Sequence, residues 1–139
     1  MDDRIHQPAR AQLDFAIAFA IRAQRAVLID AAPHVRPVAG LHLAMCGLFE
    51  VDTAHDFTID LFDRHIAVNL RAPILLARAF VAALPDPQRG SIVNLVDQRV
   101  WRLTPQFFTY TLAKSALWTA TQTLAQAYAP RVRVNAVGP

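Results

Sequence analysis

Residues 91–137 have the sequence SIVNLVDQRVWRLTPQFFTYTLAKSALWTATQTLAQAYAPRVRVNAV. Two apolar runs rich in β-branched residues, Ser91 to Val96 and Val132 to Val137, are typical of buried strands. Between them, a segment from about Phe107 to Tyr128 has the length of a helix and ends before Pro130. Strands joined by a helical crossover pair in parallel, so this stretch predicts an α/β layer.

The preceding residues extend the same alternation of strands and helices. Thr58 to Leu84 has apolar residues at helical spacing and predicts a second long helix, which the proline-rich turn at 85–90 ends. Leu41 to Met45 predicts a short buried strand, and Gly47 to Asp56 a loop. The predicted fold class is therefore α/β, with about three parallel strands flanked by helices.

Composition bounds the class of protein. The chain has 139 residues, enough for one domain, and an apolar fraction of 54%, which excludes a disordered chain. Its longest apolar run, Phe15 to Ile21, is too short for a membrane span, and its first residues are acidic where a secretory leader is basic. A single cysteine, Cys46, cannot form an internal disulfide. We therefore expect a soluble cytoplasmic protein without a membrane partner.

The charged residues argue against two classes of partner. The net charge is +3, but the arginines are scattered and form no basic run, so we expect no nucleic-acid partner. The five histidines have none of the spacings of a metal site, so no metal is expected.

One basic residue differs from the rest. Thirteen of the 14 are arginine, and the one lysine, Lys114, follows Tyr110 by four residues. Residues four apart share a helix face, and an adjacent ammonium lowers a phenol pKa from about 10 toward neutrality. Tyr110 would then be a general acid. The alternative is an ordinary helix with a core tyrosine and a surface lysine.

Two other polar residues occupy informative positions. Pro73 lacks the N–H that would bond the carbonyl of Asn69, so the sequence predicts a kink and a free acceptor there; a hydrated packing kink is the alternative. Asp97 follows a predicted strand, and Gly47 and Gly138 follow the other two. Ligands bind at such strand ends. Asp97 could instead simply cap the next turn.

From about Leu28 to the last residue, and most strongly from Phe62, the chain resembles the short-chain dehydrogenase/reductase family. The Tyr-x-x-x-Lys motif of that family matches Tyr110 and Lys114. Its polar residue thirteen positions before the tyrosine matches Asp97, its helix asparagine, here in VNLRAP, matches Asn69, and its RVNxVGP segment matches Arg133 to Pro139. Most members have serine at position 97, whereas aspartate is similar to the pteridine reductase branch.

The resemblance implies a function and a site. The expected catalytic residues are Tyr110, Lys114, Asp97 and Asn69, and the expected cofactor contacts are Tyr110, Lys114, Gly138 and Pro139. The implied cofactor is NADP, the implied substrate a pterin-like or other carbonyl or imine compound. The implied partner is a second copy, bound through the two long helices.

The chain departs from the family pattern in its first third. Its four glycines, at 40, 47, 90 and 138, are too far apart for the glycine-rich turn that holds the cofactor pyrophosphate. The family's NNAG-like turn is here Ala44 to Gly47. We therefore expect a single truncated Rossmann-like domain over 1–139, with a diverged N-terminal segment at 1–40, helical at 10–25, and a catalytic half at 41–139. The competing function is a non-catalytic remnant that acts as a dimerisation or interaction module.

Overall fold

The computed structural model describes residues 39–43 and 47–138. The strands are β1 (Ala39–Leu43), β2 (Gly90–Leu95) and β3 (Val132–Val137), and the helices are α1 (Ile59–Ile66), α2 (Ala72–Ala83) and α3 (Phe108–Tyr128), with a π turn at Ala67–Arg71 and a 3-10 turn at Gln98–Val100. The predicted helix at 10–25, the end of the first predicted strand at 44–45, and Pro139 lie outside the described residues.

The three strands form one parallel sheet in the order β1-β2-β3. Gly90 of β2 pairs with Ala39 of β1 and with Val132 of β3, and the pairing continues along each strand. The predicted α/β fold with about three parallel strands is confirmed. The bounds of β3 agree with the prediction, and those of β2 and α3 differ from it by one residue at most.

Both long helical segments pack against the same face of the sheet. Side chains of β2 alternate between buried and half-buried, and Ile92 and Asn94 face the helices. The core combines residues of α2, β2 and β3, with three half-buried residues of α3 packed against it: Leu76, Ala77, Phe80, Leu84, Ile92, Val132 and Val134, then Leu124, Ala125 and Tyr128. Among the described residues, the opposite face has no helix.

The predicted helix at 58–84 contains an irregular turn. In the π turn at Ala67–Arg71, the N–H of Ala72 donates to the carbonyl of Ala67, five residues back. Pro73, the second residue of α2, follows this turn directly and has no N–H to donate to it. The interruption that Pro73 predicts is therefore present, as a wide turn on its N-terminal side. The free carbonyl of Asn69 stays a prediction.

The continuous span from Ile59 to Ala83 is long and apolar enough to cross a membrane by length and composition alone, with a mean hydropathy of 1.6. Its buried residues include two polar ones, His65 and Asn69, and its apolar residues Leu76 and Phe80 contribute to the core beside the sheet. These contacts are those of a helix in an α/β layer.

We expect Gly90→Ala to destabilise the protein by about 1–3 kcal/mol, because a Cβ there would lie 2.7 Å from Cε1 of the buried Phe80 ring and 3.3 Å from Leu84 Cδ2. Urea unfolding of the variant would measure this loss. Ser91→Ala, at the next and half-buried position, is the control and should change stability little. Equal stability of Gly90→Ala and wild type would contradict the close packing of β2 on α2.

Candidate active site

A buried carboxylate fixes the start of α3. The backbone N–H of Thr109 donates to both oxygens of Asp52, at 3.2 and 3.3 Å, and its hydroxyl donates to Oδ2 as well. Asp52 is 4% exposed and Thr109 is fully buried. A carboxylate at a helix N-terminus satisfies free N–H groups and interacts favourably with the helix dipole. The turn that carries Tyr110 is therefore anchored to the loop at 47–58.

His65 extends this anchor to α1. Its Nδ1 lies 2.7 Å from the Thr109 hydroxyl oxygen. Because that hydroxyl gives its hydrogen to Asp52, it accepts from His65, so Nδ1 carries the proton. The buried Nε2 has no hydrogen-bond partner among the described residues. Burial lowers the pKa of His65, although the charges of Asp52 and Glu50 oppose this, so the ring is neutral.

Tyr110 and Asp97 meet beyond the end of β2. The Tyr110 hydroxyl donates to Asp97 Oδ2 at 3.1 Å. Tyr110 is 6% exposed. Its pKa is raised above the usual range, first by burial and then by the charge and hydrogen bond of Asp97, while Arg99 lowers it. The sequence-based expectation that Lys114 brings this pKa toward neutrality is therefore wrong.

The position of the Lys114 ammonium explains why the pKa of Tyr110 is not lowered as expected. Its ammonium donates to the backbone carbonyl of Leu95 at 2.8 Å and lies 5.7 Å from the centroid of the Tyr110 ring. It therefore faces the ring and does not bond the phenol oxygen. Burial lowers the pKa of Lys114, and the charge of Asp97 partly offsets this.

Asn69 lies on the other side of Lys114. Its Nδ2 donates to the carbonyl of Leu48 at 2.9 Å, and its Oδ1 is buried without a partner among the described residues. A cavity with room for about one water molecule adjoins it, lined also by Lys114 and by Asn94, whose Oδ1 is likewise unpartnered. Gly47 closes this region, because a Cβ there would lie 2.7 Å from Asn69 Oδ1 and 3.6 Å from Lys114 Nζ.

Aromatic side chains cover the phenol. The Phe49 ring stacks on that of Phe107 with centroids 4.3 Å apart and meets the Tyr110 ring edge-on at 4.8 Å. Phe107 has a left-handed backbone, with a φ of 59°, which costs a non-glycine residue about 1 kcal/mol or more. On the side of β3, Trp101 packs over Gly138, where a Cβ would lie 2.9 Å from its Cζ3.

Three of the predicted catalytic residues, Tyr110, Lys114 and Asp97, thus lie together, and Asn69 lies beside Lys114. Gly138 lies at the end of β3 behind Trp101, and Pro139 is outside the described residues. Five residues that hold this arrangement were not predicted from the sequence: Asp52, His65, Thr109, Arg99 and Phe49. Two signals were available, since His65 precedes Asn69 by one helical turn and Thr109 directly precedes Tyr110.

Comparison with known proteins supports a family assignment. A family model described as "Enoyl-(Acyl carrier protein) reductase" matches residues 31–139. "Dehydrogenase/reductase SDR family member 4" from Homo sapiens is 34% identical over 85 residues, which cover 60% of this chain and 31% of that protein. "L-xylulose reductase" from Caenorhabditis elegans is 35% identical over 109 residues, 77% of this chain and 43% of that one. The chain belongs to the short-chain dehydrogenase/reductase family.

Solved structures of short-chain dehydrogenases/reductases share this architecture. "FolM Alternative dihydrofolate reductase 1" from Brucella suis, in complex with NADP, has a TM-score of 0.74 and 45% identity over 89% of this chain and 47% of its own. The Brucella canis protein of the same name has a TM-score of 0.70 and 49% identity over 83% of this chain and 46% of its own. The chain spans less than half the length of each of these relatives.

The described residues fit the nicotinamide-ribose half of a dinucleotide. Lys114 uses one ammonium hydrogen for Leu95 and has others to donate, and the buried Oδ1 of Asn69 lacks a donor. The close approach at Gly47 leaves no room for a side chain between these groups and the loop. The remaining ammonium hydrogens could donate to the hydroxyl groups of a ribose, whereas Asn69 Oδ1 adjoins a cavity with room for about one water molecule only.

We expect the unfolding free energy to fall as the pH drops below about 6.5, the pKa of histidine in an unfolded chain. Below that pH the unfolded chain binds a proton at residue 65, whereas burial lowers the pKa of His65 in the folded chain and disfavours this proton. The His65 contribution to this loss is at most about 1.4 kcal/mol per pH unit and stops at the folded pKa. Urea unfolding between pH 5 and 7 would measure it.

His65→Asn keeps a donor near the position of Nδ1 but cannot titrate, so its stability should depend less on pH than that of the wild type. His55→Asn, at an exposed histidine in the preceding loop, is the matched control and should keep the wild-type slope. A His65→Asn variant with the wild-type slope would show that His65 is not the group responsible.

Proposed function

We propose that this chain carries the catalytic half of an NADP-dependent reductase that acts on a pterin-like ring or a related imine or carbonyl group. The observation that supports it is the hydrogen bond between Tyr110 and Asp97, 3.1 Å long, beside the buried Lys114 ammonium at the end of the central strand. Tyrosine, lysine and aspartate converge there at the strand end where ligands bind in parallel sheets.

Tyr110 is the proton donor in this proposal. Its raised pKa keeps the phenol protonated at neutral pH, which suits a group that gives a proton rather than one that removes it. Bound NADPH would supply the hydride to the carbon of the substrate double bond. The Tyr110 hydroxyl would turn from Asp97 to the nitrogen or oxygen of the same bond and donate its proton there, so the bond is reduced by one hydride and one proton.

The neighbouring residues replace that proton. The Asp97 side chain is 17% exposed, so it would take up a proton from solvent and pass it to the phenolate through Oδ2, which lies 3.1 Å from the phenol oxygen. Lys114 stabilises the transient phenolate by its charge. The cavity beside Asn69 and Lys114 has room for a water molecule that would serve as a second source of protons.

The cofactor contacts follow the family resemblance. Tyr110 and Lys114 would hold the nicotinamide ribose, and Gly138 and Pro139 would face the nicotinamide through their backbone. The Brucella FolM structures, which contain NADP and match this chain at 45% and 49% identity, favour NADP and the pteridine reductase branch. A soluble, cytoplasmic location remains part of the proposal.

A second candidate function is an interaction module without turnover. Three large apolar side chains of the helices face solvent: Ile59 at 70%, Leu75 at 36% and Leu112 at 42% exposure. Apolar groups on the outside of packed helices are typical of contacts between protein chains. These positions support a homo-oligomer formed through the long helices. A chain that dimerises but binds no NADPH at millimolar concentration would favour this function.

We expect Tyr110→Phe to lower the rate of dihydropteridine reduction by about 10²-fold or more, because general acid catalysis contributes factors of that size. The rate is measured as loss of NADPH absorbance, and cofactor binding by nicotinamide fluorescence. Tyr128→Phe, at the other tyrosine of the chain, is the control and should retain the wild-type rate. Reduction by Tyr110→Phe at the wild-type rate would overturn the role of the phenol.

Lys114→Arg should abolish turnover although it keeps the positive charge. The guanidinium is larger and planar, so it cannot occupy the buried site from which the ammonium reaches the Leu95 carbonyl. Circular dichroism would confirm that the variant is folded before kcat and KM are measured. A folded Lys114→Arg variant with near-normal kcat would refute the function assigned to Lys114.

A further inference from the structure

The two oxygens of the Asp97 carboxylate have different partners. Oδ2 accepts the Tyr110 hydrogen bond, whereas Oδ1 accepts the backbone N–H of Arg99 at 2.8 Å and its Nη1 at 3.3 Å. The backbone and the side chain of Arg99 thus both hydrogen-bond Oδ1, whereas Oδ2 bonds the phenol. In the ranges 39–43 and 47–138, Arg99 provides the one salt bridge to Asp97.

Arg99 is itself held by aromatic rings. Its Cζ lies 4.4 Å from the centroid of Phe107 and 5.2 Å from that of Phe49. Its buried Nε has no hydrogen-bond partner in the described part of the chain. Ring faces attract a guanidinium and compensate in part for this missing partner. The side chain is only 22% exposed, so its orientation is fixed by packing rather than by solvent.

The two aromatic rings connect Arg99 to the reacting phenol through two separate contacts. Phe107 is the residue before the first turn of α3, three positions ahead of Tyr110, and Phe49 meets the Tyr110 ring edge-on. A shift of the guanidinium therefore changes both the carboxylate and the rings around the phenol. A surface ion pair has no such connections.

We propose that Arg99 is a positioning residue, which holds the Asp97 carboxylate in the orientation that aims Oδ2 at the Tyr110 hydroxyl. The chemical purpose of this orientation rests on the proposed function, but the orientation itself does not. Arginine suits the position because its Nη1 reaches Oδ1 of the carboxylate while the planar face of the guanidinium packs on aromatic rings. Lysine could supply the charge alone.

The test is carbon NMR of the full chain with ¹³Cζ-labelled tyrosine. The chain has two tyrosines, Tyr110 and Tyr128, so two signals are expected, and Tyr128→Phe assigns them. Asp97→Asn provides the reference for a phenol that has lost its charged acceptor. We expect Arg99→Gln to move the Tyr110 signal toward that reference, and Arg99→Lys to move it less. Arg102→Gln removes an exposed charge from the same loop and should leave it unchanged.

A Tyr110 signal that stays at the wild-type position in Arg99→Gln overturns the proposal. If Arg99→Gln does not fold, Arg99→Lys serves instead, because it keeps a positive charge but loses the planar group that packs on the rings of Phe49 and Phe107. That variant should shift the Tyr110 signal in the same direction, and no shift would overturn the proposal. Neither cofactor nor substrate is present, so a chain without turnover still gives an answer. Where turnover exists, Arg99→Gln should lower kcat more than it changes KM.

Discussion

The hydrogen bond from the Lys114 ammonium to the Leu95 carbonyl fixes the position of α3 along the central strand. Leu95 is the last residue of β2, and Asp97 follows two positions later, beyond the sheet. Tyr110 precedes Lys114 by one helical turn, so it reaches Asp97 only when α3 has this position along β2. A buried ammonium needs such an acceptor, because an unpaired charge in the interior is costly. The same bond therefore stabilises the lysine and aligns the phenol with its carboxylate.

The charges around the phenol are arranged to keep it protonated. Asp97 lies at its oxygen, Lys114 lies over its ring face, and Arg99 lies on the far oxygen of the carboxylate. Burial disfavours the phenolate most, the charge and hydrogen bond of Asp97 add to this, and the charge of Arg99 opposes it, so the pKa of Tyr110 rises. Binding of further positive charge would lower it again, which makes the acidity of Tyr110 depend on what occupies the site.

The sequence predicted the elements more completely than the contacts between them. Apolar runs marked β2 and β3, and the length of the segment before Pro130 marked α3, each to within a residue. The placement of Tyr110, Lys114 and Asp97 also followed from the family resemblance. The pKa direction of Tyr110 did not, since burial depends on the whole fold. His65 bonds Thr109, 44 positions away, and such a contact leaves no pattern in neighbouring residues.

The π turn at Ala67–Arg71 determines which side chains α1 and α2 present to α3. A wide turn accommodates one residue more than an α-turn, and one residue corresponds to a rotation of about 100° around the axis. His65 lies before the turn and Leu76 after it, and both are buried. Eleven residues separate His65 from Leu76, about three turns of an unbroken α-helix, so the wide turn rotates the face of α2 by about 100° relative to that of α1. Relatives that lack the wide turn are therefore expected to be one residue shorter between these positions, so a single-residue gap in an alignment would mark the loss of this geometry.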